Sequence, residues 1–550
     1  MYVRSQSSRQ LGSPLAAGID VGTTALKAVL VDEAGNLVRR ARLPSVVSIG
    51  PGDRLEHDAL ATWWEGPRVA LVALLGRDAS RPGGDVAPTA SGSQLFQGGM
   101  QPPKWAEQLP KWAEQPPKWA EQPAGWAEQP GQLAGRLRAV AVSAMMPSAA
   151  PVSEVGRPVG PGVLYGSAGP AGTGDPTSSD EMERLAALCA ASCAGAYGYW
   201  PAQAVANASL GGAGVVDLAS AFAAGQLFGS SGWDQVALAR IGLEPSRMPR
   251  VAMFGEPLGE LAPSLMGANA LRDGGGLGEE LAASPVAGAV LGAGSVDGLC
   301  EQLIAGAAEP GDVLITLGST LVVWLCTPGW PEEVPPGLWR VPHVAPGMAM
   351  VGGASNAGGL WVDWVDRVLR PAGAGAGAWA AASEVAQAGD YDLRPSDVPI
   401  WWPWPRGERV PWHDGSLRVG LAGAHLSHGP ANLRRAALEA SAFVARLILD
   451  RAATCGTSPR RYFVSGGGAA NRPWLQALAE VLGQAVVPMA VPEGAALGAA
   501  FLARMAAGLE TSLADAARWA RWGPPAEPRP QWAEAAGERF ERWVDGLPAH

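Results

Sequence analysis

Eight consecutive residues, Asp20-Val21-Gly22-Thr23-Thr24-Ala25-Leu26-Lys27, bring together a carboxylate, a glycine, two hydroxyls and an amine. A tight Gly/Thr turn aims backbone N–H groups and hydroxyls at phosphate oxygens, Asp20 can hold Mg²⁺ through water, and Lys27 offsets phosphate charge. An ordinary hairpin whose Asp and Thr only satisfy their own turn has the same composition, so the segment gains meaning only beside motifs further along the chain. Far downstream, Leu291-Gly292-Ala293-Gly294-Ser295-Val296-Asp297-Gly298 sets one carboxylate among small residues that allow a ligand close approach. Gly311-Asp312 then leads into a second turn, Gly318-Ser319-Thr320. A carboxylate opposite two phosphate-binding turns suits phosphoryl transfer to an alcohol, with Asp297 taking the hydroxyl proton and the turns supplying donors. A helix N-cap is the structural alternative for Asp297.

A third segment, Ser465-Gly466-Gly467-Gly468-Ala469-Ala470-Asn471, lies between a strand pattern and a helix pattern. Its glycines let backbone approach a flat or anionic ligand and leave helix N–H groups available. It lacks the G-x-G-x-x-G spacing of a dinucleotide fingerprint, and the chain has no G-x-x-x-x-G-K-[ST] P-loop.

Taken in order, DxGTTxxK, GxxD, GDVxxxxGST, GERxPxxD (Gly407 to Asp414), LSH (Leu426 to His428), GGG and PEGAALGAAFLA (Pro492 to Ala503) resemble the FGGY carbohydrate kinases, xylulose kinases among them. That family is a branch of the actin/hexokinase/Hsp70 superfamily. The resemblance implies an α/β chain of two ribonuclease-H-like (actin-like ATPase) domains around a central cleft. Residues 1–14 would be a disordered N-terminus, 15–309 and 310–508 the two domains, and 509–550 a C-terminal helical tail. It also implies an ATP- and Mg²⁺-dependent transferase moving the γ-phosphoryl group to a hydroxyl of a small sugar or polyol. Asp20, Gly22, Thr23, Thr24 and Lys27 would form the first phosphate loop, with Asp20 holding Mg²⁺ through water. Gly318, Ser319 and Thr320 would form the second, and Gly466, Gly467, Gly468 and Asn471 would border the adenosine. Asp297 would be the general base, with Met146 and Pro147 beside it on the substrate side.

On that side the chain departs from its relatives. They carry a sugar-contacting Asp in contexts such as W-N-D-x-R or Y-G-I-D-T-R, whereas Tyr165-Gly166-Ser167-Ala168-Gly169-Pro170 puts Ala168 and Pro170 at the Asp and Arg positions. Asp175 and Asp180 are the nearest carboxylates in the chain. Met145-Met146-Pro147-Ser148 replaces the Met-His-Gly of xylulose kinases, which disfavours xylulose itself, and the sugar-side lobe is shortened between about Glu183 and Ser209. A nucleotide-binding pseudokinase, acting as a regulatory or interaction module, is therefore the alternative function.

These side chains need rigid supports. Ala17–Gly22 and Leu26–Val31, apolar apart from Asp20 and Lys27, read as strands around the Thr23-Thr24 turn, and Leu137–Ser143 reads as a buried strand. From about Val286 to Gly508, strands such as Asp312–Leu317 and Arg461–Ser465 alternate with helices at Leu360–Leu369 and Leu433–Leu449, the pattern of α/β layering. Between about 77 and 135 the unit Lys-Trp-Ala-Glu-Gln recurs, placing Trp105, Trp112, Trp119 and Trp126 at a seven-residue period. Pro103, Pro110, Pro117 and Pro123 punctuate the units, and proline costs about 3 kcal/mol inside a helix, so a low-complexity disordered insertion is expected rather than a coiled coil. A tryptophan-displaying recognition arm is its functional alternative.

A formal net charge of −10 over 550 residues and the lack of a dense Lys/Arg tract argue against a nucleic-acid partner. Five scattered cysteines fit a reducing compartment, and no leader or membrane-spanning run is read, so a cytoplasmic protein without a membrane partner is expected. Its partner would be the small-molecule substrate, with a homodimer as the candidate assembly. His425 and His428, three apart but with no carboxylate or Cys neighbour at ligand spacing, read as structural.

Overall fold

The computed structural model describes residues 12–50, 54–75, 130–165, 167, 181–229, 231–262, 288–345, 347–369, 393–491 and 493–547. The tryptophan repeat, Ala168, Pro170, Asp175 and Asp180 lie outside the described residues.

The first sheet grows from the Asp20 segment. β1 (Leu15–Val21) is buried at every position, as expected of a strand covered on both faces, and turns at Gly22-Thr23-Thr24 into antiparallel β2 (Ala25–Val31). β3 (Leu37–Pro44) continues the meander; carrying Arg39, Arg40 and Arg42, it forms one charged edge. Helix α1 (Gly66–Leu75) covers this meander. β4 (Leu137–Ala144) returns parallel to β1, with α2 (Ala202–Gly211) packed on it. β5 (Pro257–Glu260) and β6 (Val290–Gly292) complete the sheet in the order β5-β6-β4-β1-β2-β3.

After α3 (Asp297–Ala305) the same scheme recurs. β7 (Asp312–Leu317), β8 (Leu321–Pro328), β9 (Trp339–Pro342) and β10 (Met348–Ser355) are succeeded by α4 (Gly359–Leu369) and α5 (Pro430–Ala453). β11 (Arg461–Ser465), α6 (Arg472–Leu482) and β12 (Val486–Pro488) close a sheet ordered β9-β10-β8-β7-β11-β12. In both sheets an antiparallel meander is extended by strands parallel to its first member: β3-β2-β1-β4-β6 in one, β10-β8-β7-β11-β12 in the other. Since the two sheets are built alike, β1–β2 and β7–β8 form equivalent hairpins.

Helix α7 (Gly494–Ala506) joins the lobes. Its small residues let it press against β1 and α3, and Ala496, Ala499 and Ala500 share one core with Val29 and Ala141 of the first sheet and Leu314 and Phe463 of the second. The segment expected as a tail contributes α8 (Pro530–Asp545), whose Trp532, Phe540 and Trp543 enter the core of the second lobe beside Trp361, Trp401 and Trp404. Among the described residues no helix is long and apolar enough to cross a membrane.

Candidate active site

The β1–β2 hairpin registers Asp20 opposite Lys27, whose Nζ lies 4.0 Å from Asp20 Oδ2. Asp20 is only 5% exposed and its Oδ1 makes no hydrogen bond. Burial, reinforced by Glu301 and opposed by Lys27, pushes its carboxyl up to about 6. At the turn, Thr23 Oγ1 lies 2.5 Å from the Tyr165 hydroxyl, and its carbonyl accepts from His57 Nε2 at 2.7 Å. Trp63 Nε1 donates to the other nitrogen of that imidazole at 3.0 Å, fixing the ring. Thr24 is exposed.

The β7–β8 turn is held by the start of α4: Gly359 N donates to Gly318 O at 2.8 Å and Leu360 N to Ser319 O at 3.0 Å. Gly318, Ser319 and Thr320 stay half-buried. At the end of β11, Gly466 adopts φ 82, and a Cβ on Gly466 or Gly468 would come within 2.7 or 2.6 Å of Leu317 atoms. A Cβ on Gly467 would meet nothing within 4 Å, so two of the three glycines serve packing and one faces open space. Asn471 caps α6, accepting from Trp474 N at 3.2 Å.

Asp297 is the first residue of α3; Val296 occupies the cap position, and the Asp297 carboxylate accepts from Gly298 N at 2.8 Å. The preceding loop is pinned to β4, since a Cβ on Gly294 would lie 1.8 Å from Val142 O, and Ser295 Oγ donates to the buried Asp217 carboxylate at 2.7 Å. The Asp297 carboxyl is pushed up to about 8, first by burial and then by the charges of Asp20 and Glu301, against the Gly298 amide and Lys27.

Glu301 belongs to none of the motifs legible in the sequence. One turn beyond Asp297, it is 7% exposed and accepts from Thr316 Oγ1 and Ser465 Oγ at 2.6 Å each, tying the ends of β7 and β11 together. The i, i+4 spacing on a helix is the signal that could have found it. Tyr165, which the sequence marks only as the first residue of the stretch that lacks the Asp and Arg, also joins the site. Its ring lies under the Arg409 guanidinium, 5.0 Å from the centroid, and its hydroxyl is within electrostatic range of Asp297. The neighbouring Glu408 accepts from Ser355 Oγ, Asn356 N and Arg409 N at 2.7 Å each, which is how the GERxPxxD segment fixes Arg409. Met145 N donates to Val21 O at 3.3 Å, placing half-buried Met146 and buried Pro147 beside the first turn; Met146 packs against the apolar cluster to which Met182 and Leu185 belong. Asp20, Lys27, Asp297, Glu301 and Tyr165 thus share one electrostatic environment between the two hairpins.

Paired sheets of this topology match a two-domain actin-like ATPase fold, and solved structures bear this out. The chain superposes on a xylulose kinase from Rhodospirillum rubrum with a TM-score of 0.66 at 23% identity, covering 96% of this chain and 98% of that one. A Plasmodium falciparum glycerol kinase with ADP gives 0.65 at 13% identity, covering 98% and 99%. In sequence, residues 313–507 match the model of the FGGY family of carbohydrate kinases, C-terminal domain. A xylulose kinase of Escherichia coli (strain K12) is 26% identical over 285 residues, 52% of this chain and 54% of its own. A glycerol kinase of Alcanivorax borkumensis is 36% identical over 172 residues, 30% and 32% of the two chains. These alignments span about half or less of each curated relative. Residues 313–507 of the chain are thus similar in sequence to the C-terminal domain of the FGGY carbohydrate kinases, and the fold as a whole is that of the solved xylulose and glycerol kinases.

Proposed function

We propose that this chain is an ATP-dependent carbohydrate kinase that transfers the γ-phosphoryl group of ATP to a hydroxyl of a small sugar or polyol, with Asp297 as general base. The observation carrying this reading is the placement of a carboxylate of raised proton affinity in the electrostatic environment of Asp20 and Lys27, in a chain with two equivalent hairpin turns. Asp297 accepts the hydroxyl proton as the substrate oxygen bonds to the γ-phosphorus and the bond to the ADP oxygen breaks. Gly22, Thr23, Thr24 and Lys27 serve the phosphates from one side, and Gly318, Ser319 and Thr320 from the other. Gly467 gives the adenosine its closest approach, flanked by Gly466, Gly468 and Asn471. The buried, unpartnered Oδ1 of Asp20 fits a Mg²⁺ held through water. That ion would supply charge compensation for the phosphates. Met146 and Pro147 border the substrate, and five free cysteines accord with a cytoplasmic location.

Two features favour the pseudokinase alternative: Ala168 stands where relatives carry an Asp, and the Thr23 hydroxyl is engaged by Tyr165. ATP turnover measured with and without sugars separates the readings, because only the kinase is accelerated.

The acid limb of kcat/KM reports the base in the free enzyme. Asp297 must be ionised to work, so activity should fall by about tenfold per pH unit below about 8, and more steeply below about 6 as Asp20 also gains a proton. Glu301→Gln keeps an acceptor for Thr316 and Ser465 but removes a charge that raises both carboxyls. Its kcat/KM–pH profile should have the limb moved to lower pH; an unmoved limb would show that Glu301 does not act on Asp297.

A further inference from the structure

His425 and His428, expected to lack a carboxylate neighbour, converge in the structure on Asp397, about thirty residues earlier in the chain. His428 Nε2 lies 3.0 Å and His425 Nε2 3.3 Å from the same oxygen, Asp397 Oδ1, and the three potential ligand atoms all lie within 4.8 Å of one another. Bonds of about 2.0–2.1 Å from a tetrahedral zinc ion to imidazole nitrogen and carboxylate oxygen put adjacent ligand atoms about 3.3 Å apart. The two distances to Asp397 Oδ1 therefore already approximate edges of that tetrahedron. Among the described residues this is the one group of three or more His, Cys, Asp or Glu side chains so arranged, and none of it belongs to the candidate active site.

The supports are those a metal site uses. Ser427 Oγ lies 2.9 Å from His425 Nδ1; in the tautomer where it accepts a hydrogen bond from Nδ1–H, Nε2 keeps its lone pair for a metal. Asn432 Nδ2, on the first turn of α5, donates to Asp397 O at 2.8 Å. The segment leading to Asp397 is fastened by buried Arg539, which donates to Pro395 O and to both carboxylate oxygens of Glu439. His428 is anchored, with its side chain 3% exposed, while His425 is 57% exposed, so a fourth position would open to water. Loading would move the His428 proton from Nε2 to Nδ1. That displaces only the 3.2 Å contact from His425 N, within an exposed loop.

We propose that Asp397, His425 and His428 form a zinc-type divalent metal site at the N-terminal end of α5, with two imidazoles and one carboxylate as ligands and one coordination position open to solvent. Two imidazoles and a carboxylate with an open position suit zinc and its first-row neighbours better than magnesium or calcium, which take oxygen ligands.

The test uses the full chain, stripped with a chelator and kept in millimolar Mg²⁺ so that the cleft carboxylates are occupied. Zinc titration by calorimetry, with cobalt(II) as a spectroscopic probe, should give one ion per chain, tetrahedral cobalt absorption bands and a rise in melting temperature. His425→Ala and Asp397→Asn should each weaken binding by more than about tenfold and abolish the bands. With its side chain largely exposed, His425→Ala should keep the metal-free melting temperature of the wild type, which separates loss of a ligand from loss of fold. Absence of zinc binding by the wild-type chain, or unchanged binding in both variants, would overturn the proposal.

Discussion

Asp297→Asn is expected to lower sugar-dependent ATP turnover by about 10²–10⁴-fold while leaving nucleotide affinity nearly unchanged. Asparagine keeps the size of the side chain and an oxygen for the Gly298 amide, which donates at 2.8 Å, but it cannot accept the proton of a substrate hydroxyl. The residue stands at the start of α3, pinned by Gly294 against β4 and by Ser295 against Asp217, so the substitution has little structural reason to disturb the loop. Replacing a carboxyl that burial and two like charges hold at about 8 also removes the cost of keeping an ionisable acid there in the folded state, so melting temperature should not fall. Steady-state kcat measured beside a nucleotide binding constant separates the cases. Parallel loss of both would mean that Asp297 organises the cleft instead of serving as its base.

The second large effect concerns stability. Glu439 on α5 is fully buried and accepts from Arg435 Nε at 2.9 Å and from Arg539 Nε and Nη2 at 2.7 Å each. Arg435 also binds Glu480, which pairs with Arg529 at 2.5 Å, so the network ties α5, α6 and α8 together. Glu439→Leu fits the space but leaves Arg539, 1% exposed, without its carboxylate, and the expected loss is about 3–5 kcal/mol of unfolding free energy. Burial alone would raise the Glu439 carboxyl, but the Arg435 and Arg539 guanidiniums outweigh it and hold the group below its ordinary value of 4.5. Its contribution is therefore complete above about pH 4.5 and lost as pH falls through the lower folded value. Urea unfolding at neutral pH, repeated at acid pH, should show the gap between wild type and variant narrowing with acidity. A gap below about 1 kcal/mol at neutrality would mean that the network is not cooperative.

Much of the fold is legible because its signals are local. Leu15–Val21 and Ala25–Val31 are apolar on both faces, and Gly22-Thr23-Thr24 between them can only turn; the same holds for Asp312–Leu317 and Gly318-Ser319-Thr320. Helix α5, expected over Leu433–Leu449, runs about a turn beyond this at each end: Gly429 and Pro430 start it, and it continues to Ala453 before the Thr454 cap. The tail is legible as helix but not as core, since nothing local announces that Trp543 will meet Trp404 and Phe443.

In the site, the motif residues are readable one by one, and their partners are not. Glu301 lies on the same helix as Asp297 yet gains its role from Thr316 and Ser465 on two other strands. Tyr165 meets Arg409 across the cleft, a pairing made by tertiary closure. Asp397 joins His425 and His428 for the same reason: spacing in sequence describes ligands that share an element, and here two separate segments of the chain supply them.

The most direct test of the central claim is to follow phosphate ester formation by ³¹P NMR when the full chain is incubated with MgATP and a panel of pentuloses, hexuloses, aldoses and polyols. The kinase reading requires one of these to yield a sugar phosphate with stoichiometric ADP, and the product to vanish with Asp297→Asn. ATP binding without any phosphorylated product across the panel would contradict it and leave the pseudokinase.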